Sequence, residues 1–236
     1  MKILARRVPL HLWRLRFTLS VGQLCTVGIA LTTGLTAWIV WGTATFGAHS
    51  VVVRGSSMLT VQEVRAVANV PSDTPLARLD TAAVAERVRQ LPEVHTVEVF
   101  RSWPNTVRIV ITERKPVALT IQNDQYVLVD REAVAFRQVP EPPDLPLVEV
   151  DDLTPNNPAA RAAVEVAADL PEALRAELGT ITAPTQAQVA LELSDGRTIF
   201  WGDSSNNTRK ATVAVVLLDR DGDYMDVSAP AVVTMR

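Results

Sequence analysis

The chain has 236 residues, a formal net charge of −3 at pH 7, 47% hydrophobic residues and one cysteine. That length and mildly acidic balance fit one to three small domains, and they exclude disorder over the whole chain and a nucleic-acid binder driven by phosphate attraction. The lone Cys25 falls within an apolar run, so no disulfide framework holds the remainder together.

The averages conceal an asymmetry along the chain. Lys2, Arg6, Arg7, Arg14 and Arg16 stand in the first 16 residues without an acid, whereas every Asp and Glu follows residue 60. No side chain between Arg16 and Arg54 carries a fixed charge, and the run predicts a transmembrane helix over 17–43. A hydrocarbon core of ~30 Å needs about 20 helical residues, because a helix satisfies its own backbone groups in lipid. Trp13 and Phe17 at one end, and Trp38, Trp41 and Phe46 at the other, suit the headgroup region. The positive-inside rule puts the tail 1–16 in the cytoplasm and the rest outside, a single-pass type II arrangement. A cleaved signal peptide ending near Gly42-Thr43-Ala44 is the competing reading, but its apolar region would be only ~7–15 residues. Gly22, Thr26, Ala30 and Gly34 recur every fourth residue and offer a face for helix packing in the membrane, although ordinary membrane-helix composition is the simpler account.

Past the membrane, Ser50-Val51-Val52-Val53-Arg54 reads as a strand stopped at Gly55. Thr60-Val61-Gln62-Glu63 is a capping-box pattern opening a helix with Val61, Val64 and Val67 or Ala68 on its apolar face. Pro71 and Pro75 bound a loop, and Asp80 caps a second helix carrying Val84, Val88 and Leu91, which Pro92 ends. Two strands follow. In the first, Val94, Thr96, Glu98 and Phe100 alternate with His95, Val97 and Val99; after a Ser102-Trp103-Pro104-Asn105 turn, Val107, Ile109 and Ile111 share one face of the second. The order strand, helix, helix, strand, strand bounds a first domain at 48–115.

Arg114-Lys115-Pro116 reads as a junction, since proline removes a ladder donor as the next strand begins. The second domain, 116–236, has candidate strands at 117–121, 126–129, 134–137, 189–193, 198–201 and near 232–235, with helices from 158 to about 168 and from 208 to 218. Pro140, Pro142, Pro143 and Pro146 make a stiff extended connector. The fold class expected is therefore α+β: one transmembrane helix, a β-α-α-β-β domain, then a mixed β-domain.

These segments carry a family likeness. Val51-Val52-Val53-Arg54-Gly55, Leu91-Pro92-Glu93-Val94, Arg101-Ser102-Trp103-Pro104 and Thr112-Glu113-Arg114-Lys115-Pro116-Val117-Ala118 resemble the POTRA domain of the bacterial cell-division family FtsQ/DivIB. Leu193-Ser194-Asp195-Gly196-Arg197, Trp201-Gly202, Lys210 and Met225-Asp226-Val227-Ser228-Ala229-Pro230 resemble that family's β-domain. One departure is Glu132-Ala133, where the family usually turns through glycine, which puts the geometry of that hairpin in question. The resemblance implies a divisome scaffold at the septum, without chemistry of its own, linking early division components to septal peptidoglycan synthesis. It implies small bitopic coiled-coil partners (FtsB/DivIC- and FtsL-like) docking on the terminal strand. It also implies a septal peptidoglycan synthase with its membrane partner, and neither nucleic acid nor a small-molecule substrate.

Searched for chemistry, the sequence offers little. His11, His49 and His95 are scattered, no His-Glu-x-x-His or paired cysteines occur, and Gly-x-Ser-x-Gly and phosphate-cradling glycine loops are absent, so no catalytic residue, metal or cofactor is assigned. Asp219-Arg220-Asp221-Gly222-Asp223 approaches a calcium loop, but its glycine is misplaced and Pro230 stands where a bidentate glutamate belongs. Asp151-Asp152 reads as a surface loop rather than a glycosidase pair. Trp103 and Trp201 read as structural.

Binding has a physical route instead. Ala231, Val232, Val233, Thr234, Met235 and Arg236 form a β-prone end of the chain, and an uncovered sheet edge offers free N–H and C=O groups to an added strand. Tyr224 is the expected aromatic anchor, Arg236 a charge partner and Asp226 a turn or structural residue. Arg101, Arg108, Glu113 and Arg114 are candidates for a recruitment surface on the POTRA domain. The rival readings are a membrane-anchored cell-wall hydrolase, which needs a catalytic constellation, and a POTRA chaperone of outer-membrane assembly, which needs a following β-barrel.

Overall fold

A computed structural model describes residues 21–42, 47–220, 222–229 and 234–235. The tail 1–16 and the rings of Trp13, Phe17, Trp41 and Phe46 lie outside what is described, as do Ala231, Val232, Val233 and Arg236.

Two compact units emerge. The first gathers the chain up to Ser50 with Pro71–Leu79 and Trp103–Thr106; the second holds Val51–Val70, Asp80–Ser102 and Val107–Arg236. In the first unit, α1 (Val21–Gly42) is a 22-residue helix without a charged side chain. Its side chains are described at residue 22 and over 25–38, all of them exposed, and Gly22, Thr26, Ala30 and Gly34 are among them. Among the described residues, no helix is long and apolar enough to cross a membrane. The segment after it is pinned locally: Ala48 N–H donates to Thr74 O (2.9 Å), His49 N–H to Asn105 O (3.0 Å), and His49 Nε2 lies 3.2 Å from Asp73 Oδ1.

A three-stranded sheet of order β1-β3-β2 is built from β1 (Ser50–Arg54), β2 (Val94–Ser102) and β3 (Thr106–Glu113). The helices α2 (Val61–Ala68) and α3 (Thr81–Arg89) separate β1 from β2. Both predicted caps form. Thr60 accepts from Glu63 N–H while the Glu63 carboxylate accepts from Thr60 N–H (2.8 Å), and Asp80 accepts from Ala83 N–H (3.0 Å). Val64, Ala68, Val84 and Val88 are buried, as are Val107, Ile109 and Ile111 on β3. Strand β2 departs from the expected alternation: Val94 and Val97 are both buried, an odd spacing that strict period two does not allow. Trp103 is 52% exposed on the expected turn between β2 and β3.

The remaining strands form one nine-stranded sheet. They are β4 (Pro116–Gln122), β5 (Gln125–Asp130), β6 (Ala135–Val139), β7 (Leu147–Glu149), β8 (Leu178–Thr182), β9 (Val189–Leu193), β10 (Thr198–Gly202), β11 (Tyr224–Asp226) and β12 (Thr234–Met235). Their spatial order is β12-β11-β10-β9-β8-β7-β4-β5-β6, mixed because β4–β7, β7–β8 and β10–β11 pair in parallel. Helices α4 (Pro158–Asp169), α5 (Glu172–Glu177) and α6 (Asn207–Leu217) contribute to the main core with Val129, Val148, Ile181, Leu191, Ile199, Trp201 and Met225. Buried alanines at 159, 160, 162, 163 and 167 let α4 approach closely, and Asn157 caps it with Pro158 at its first position, where the missing N–H costs nothing.

Successive residues of the strands face opposite ways, so Leu119, Leu128 and Phe136 form a second cluster, against which Met58 packs. Six side chains fasten this joint. Glu113 accepts from Ser57 Oγ (2.6 Å), Met58 N–H (2.9 Å) and Leu59 N–H (2.9 Å); Arg137 Nη1 donates to Met58 O (2.9 Å); and Arg114 pairs with Asp130 and Glu132. The β5–β6 turn closes without glycine. Ala133 takes the left-handed conformation at φ 61° and is fully buried, with the Asp130 carboxylate accepting from Glu132 and Val134 N–H groups.

Candidate partner-binding edge

The C-terminal margin of the large sheet is assembled on β10, whose Ile199 and Trp201 are fully buried. β11 lies parallel to it with Thr198 opposite Tyr224, Ile199 opposite Met225 and Phe200 opposite Asp226. Met225 points into the core at 0% exposure; its neighbours Tyr224, 39% exposed, and Asp226 therefore face the other side. Asp226, the last residue of β11, has the turn and structural role expected: its carboxylate accepts from Ser228 N–H (2.9 Å) and Ser228 Oγ (2.6 Å). Gly202, at φ +80°, makes room: a Cβ there would stand 2.8 Å from Ser228 Cβ.

β12 pairs antiparallel with β11, Met235 opposite Met225 and Thr234 opposite Asp226. It ends the sheet order, so among the described residues its second side has no partner strand. Of the expected contact residues, the fold thus brings Tyr224, Thr234 and Met235 to one margin, while Ala231, Val232, Val233 and Arg236 lie outside the described residues.

Beneath this margin is a polar network that sequence reading did not assemble. Trp201 Nε1 donates to Asn207 Oδ1 (2.9 Å), and Asn207 Nδ2 to Asp169 Oδ2 (2.9 Å). Lys210 is 1% exposed and donates to Asp203 O (2.9 Å) and Oδ1 (2.8 Å). The hydrogen bonds from Lys210, and then from Ser205, hold the Asp203 carboxyl at about 2. This wiring ties the start of α6 to the end of β10 and so supports the strands outside it.

The candidate recruitment residues separate into two kinds. Arg101 and Arg108 are exposed on β2 and β3, whereas Glu113 and Arg114 are engaged at the joint. Burial raises the Glu113 carboxyl, but the donors of Ser57, Met58 and Leu59 together outweigh it and hold the group below its ordinary value.

His95, Asp130 and Glu132 bring possible ligand atoms within 4.8 Å of one another, a juxtaposition invisible in the sequence. The guanidinium of Arg114, 16% exposed, already bonds both carboxylates and is the cation of that cluster.

A family model described as "POTRA domain, FtsQ-type" matches residues 46–114, and one described as "Cell division protein FtsQ/DivIB, C-terminal" matches residues 118–235. Three relatives, each named "Cell division protein FtsQ", give the extent of the similarity. That of Streptomyces bingchenggensis is 36% identical over 237 residues, covering 96% of this chain and 88% of the relative. That of Mycolicibacterium smegmatis is 38% identical over 84% of this chain and 60% of the relative. That of Mycobacterium tuberculosis (strain H37Rv) is 35% identical over 94% of this chain and 69% of the relative. The chain thus spans less than two thirds of the M. smegmatis protein. A solved structure, the major extracytoplasmic domain of DivIB from Geobacillus stearothermophilus, aligns with 47% of the chain at 15% identity and a TM-score of 0.34, too slight a likeness to carry an argument.

Proposed function

The chain belongs to the FtsQ/DivIB family of cell-division proteins, and from that premise we propose that it is a non-catalytic scaffold that works by adding a partner's strand to its C-terminal sheet edge. The observation that carries this reading is the place of β12, hydrogen-bonded to β11 on one side and ending the sheet on the other. Tyr224 adds an exposed aromatic ring beside it, and rigid aromatic rings contribute disproportionately at interfaces. The direct partners are small bitopic coiled-coil division proteins (FtsB/DivIC- and FtsL-like). Through them the scaffold reaches the septal peptidoglycan synthase and its membrane partner.

In this reading residues 1–16 are a cytoplasmic tail, 17–43 the membrane anchor, 48–115 the POTRA domain and 116–236 the β-domain, so both domains work outside the cell membrane at the division septum. Arg101 and Arg108 are the exposed candidates for a separate recruitment surface. The small-residue stripe of Gly22, Thr26, Ala30 and Gly34 is a candidate packing face for a neighbouring membrane helix.

The test places a photo-crosslinking residue at Thr234 in living cells, with the fully buried Val88 as control. Adducts with small bitopic division proteins at Thr234 alone are expected. A folded, septum-located protein that captures none of them at Thr234 removes the edge site.

A further inference from the structure

We propose that the tip of the β2–β3 hairpin, Trp103-Pro104-Asn105-Thr106, rests in the headgroup layer of the membrane, with the Trp103 ring as its lipid contact and Arg78 as a partner for lipid phosphate. The proposal rests on the reading of residues 17–43 as the membrane anchor and adds a second hold on the same bilayer.

Two segments clasp the chain that follows α1. In the 71–79 loop, Pro75 bridges to Gly47, Thr74 O accepts from Ala48 N–H (2.9 Å) and Asp73 N–H donates to Ala48 O (3.4 Å). In the hairpin tip, Asn105 O accepts from both His49 N–H (3.0 Å) and Ser50 N–H (3.2 Å). The clasp is tight, since a Cβ on Gly47 would stand 2.9 Å from the Asp73 backbone. The tip, the loop and α1 belong to one compact unit, and the single 3-10 turn Leu76–Arg78 touches α1 itself. Six residues lead from the expected end of the anchor at 43 to His49. They reach at most about 20 Å when fully extended, so the hairpin tip is tied within that distance of the hydrocarbon edge.

The chemistry of the tip suits that place. Its four residues carry no charge, Pro104 is exposed, and Trp103 keeps about half of its large ring in solvent. At a bilayer surface the apolar body of such a ring enters the acyl boundary while the indole N–H keeps polar contacts. Trp38, also exposed, is the corresponding ring on α1.

Charge agrees with lipid. Arg78 is exposed and has no ion-pair or hydrogen-bond partner among the described residues, and an anionic membrane surface attracts such a side chain. The one acid of the loop, Asp73, is turned to His49, whose Nε2 lies 3.2 Å from its Oδ1. A membrane is also the one partner whose distance from the tip the chain itself limits, which favours lipid over a second polypeptide.

The full chain, carrying benzoylphenylalanine in place of Trp103, is reconstituted in nanodiscs of phosphatidylethanolamine and phosphatidylglycerol and illuminated, and lipid adducts are read by mass spectrometry. Val216, 60% exposed on α6, takes the same probe as control, and a probe at Pro104 keeps the test open should position 103 disturb the hairpin. Lipid adducts several-fold above the Val216 control are expected at the tip. Arg78→Gln lowers their yield by up to about fivefold, the worth of one basic side chain near an anionic surface. An unchanged yield in that variant overturns the role of Arg78. Tip probes that capture no more lipid than Val216, or that capture a polypeptide in place of lipid in illuminated cells, overturn the membrane contact. Co-elution with the discs tests the anchor by itself. A chain that elutes apart from them ends the anchor reading and this proposal with it, whereas a retained chain without lipid adducts at the tip overturns this proposal alone.

Discussion

Glu113, the last residue of β3, holds the backbone of Met58 with both carboxylate oxygens, at 3.0 and 2.9 Å, and thereby fastens the loop before α2 to the strand that leaves the POTRA domain. Met58 in turn packs on the Leu119, Leu128 and Phe136 cluster, so one carboxylate sets how the loop meets the large sheet.

Glu113→Ala is expected to lower the free energy of unfolding by about 1–3 kcal/mol, since the N–H groups of Met58 and Leu59 lose a charged acceptor. Denaturant unfolding of the full chain in detergent measures it. Because the folded Glu113 carboxyl is held below its unfolded value, the contribution is complete above the unfolded range and falls away as pH drops through the lower folded value. The variant therefore loses its deficit relative to the parent in acid.

Asp203 and Lys210 make a second acid-sensitive contribution to stability. The Asp203 carboxyl lies at about 2 in the folded protein, so its stabilisation is present above an unfolded value of about 3.9 and disappears as pH falls through about 2. Asp203→Asn removes it and leaves the Lys210 ammonium buried with a poorer partner. Lys210→Met removes the buried charge and leaves an exposed aspartate, so it costs less than Asp203→Asn at pH 7. Thermal unfolding at pH 7, 4 and 2.5 separates the two, and equal losses at pH 7 count against this account.

Two glycines with left-handed backbone should respond unequally. At Gly196 (φ +93°) a Cβ meets nothing within 4 Å, so Gly196→Ala costs only the conformational penalty of roughly 1–2 kcal/mol. At Gly55 (φ +84°) the same atom falls 2.0 Å from Ile111 O, so Gly55→Ala adds a backbone clash between β1 and β3 and costs several times more. Paired melting curves suffice to compare them.

Removing Arg114 should expose a metal site. Arg114→Ala leaves the Asp130 carboxylate, 5% exposed, beside Glu132 and His95 without its cation, and destabilises the joint by roughly 3–5 kcal/mol. Zinc or cobalt should then restore part of the melting temperature of the variant and leave the parent unmoved. A parent that gains as much would show that the guanidinium does not compete.

The edge-strand reading makes a paired prediction. Successive N–H groups of a strand point to opposite sides, so of Thr234→Pro and Met235→Pro one removes a donor facing β11 and the other a donor facing outward. One substitution should loosen β12 itself, while the other leaves stability unchanged and lowers partner affinity. Co-purification alongside melting curves distinguishes them, and two substitutions without effect on binding would leave the edge unsupported.

Local chemistry made much of this protein readable from the sequence. Thr60 with Glu63, Asp80, the Trp103-Pro104 turn, and the runs behind β4, β5, β9 and β10 each carry a short-range signal: a cap, a breaker or a period-two alternation. Tertiary contacts decided the rest. β7 and β11 have three residues each, too few for a period, and β8 and α5 lie in a stretch without a clear alternation; β7, β8 and β11 exist because parallel neighbours distant in sequence supply their hydrogen bonds. The same holds for charged groups. The sequence marks Glu113, Arg114 and Lys210 only as charges, and burial beside Met58, Asp130 and Asp203 makes them parts of the framework, because a partner's position in space cannot be read from spacing along the chain.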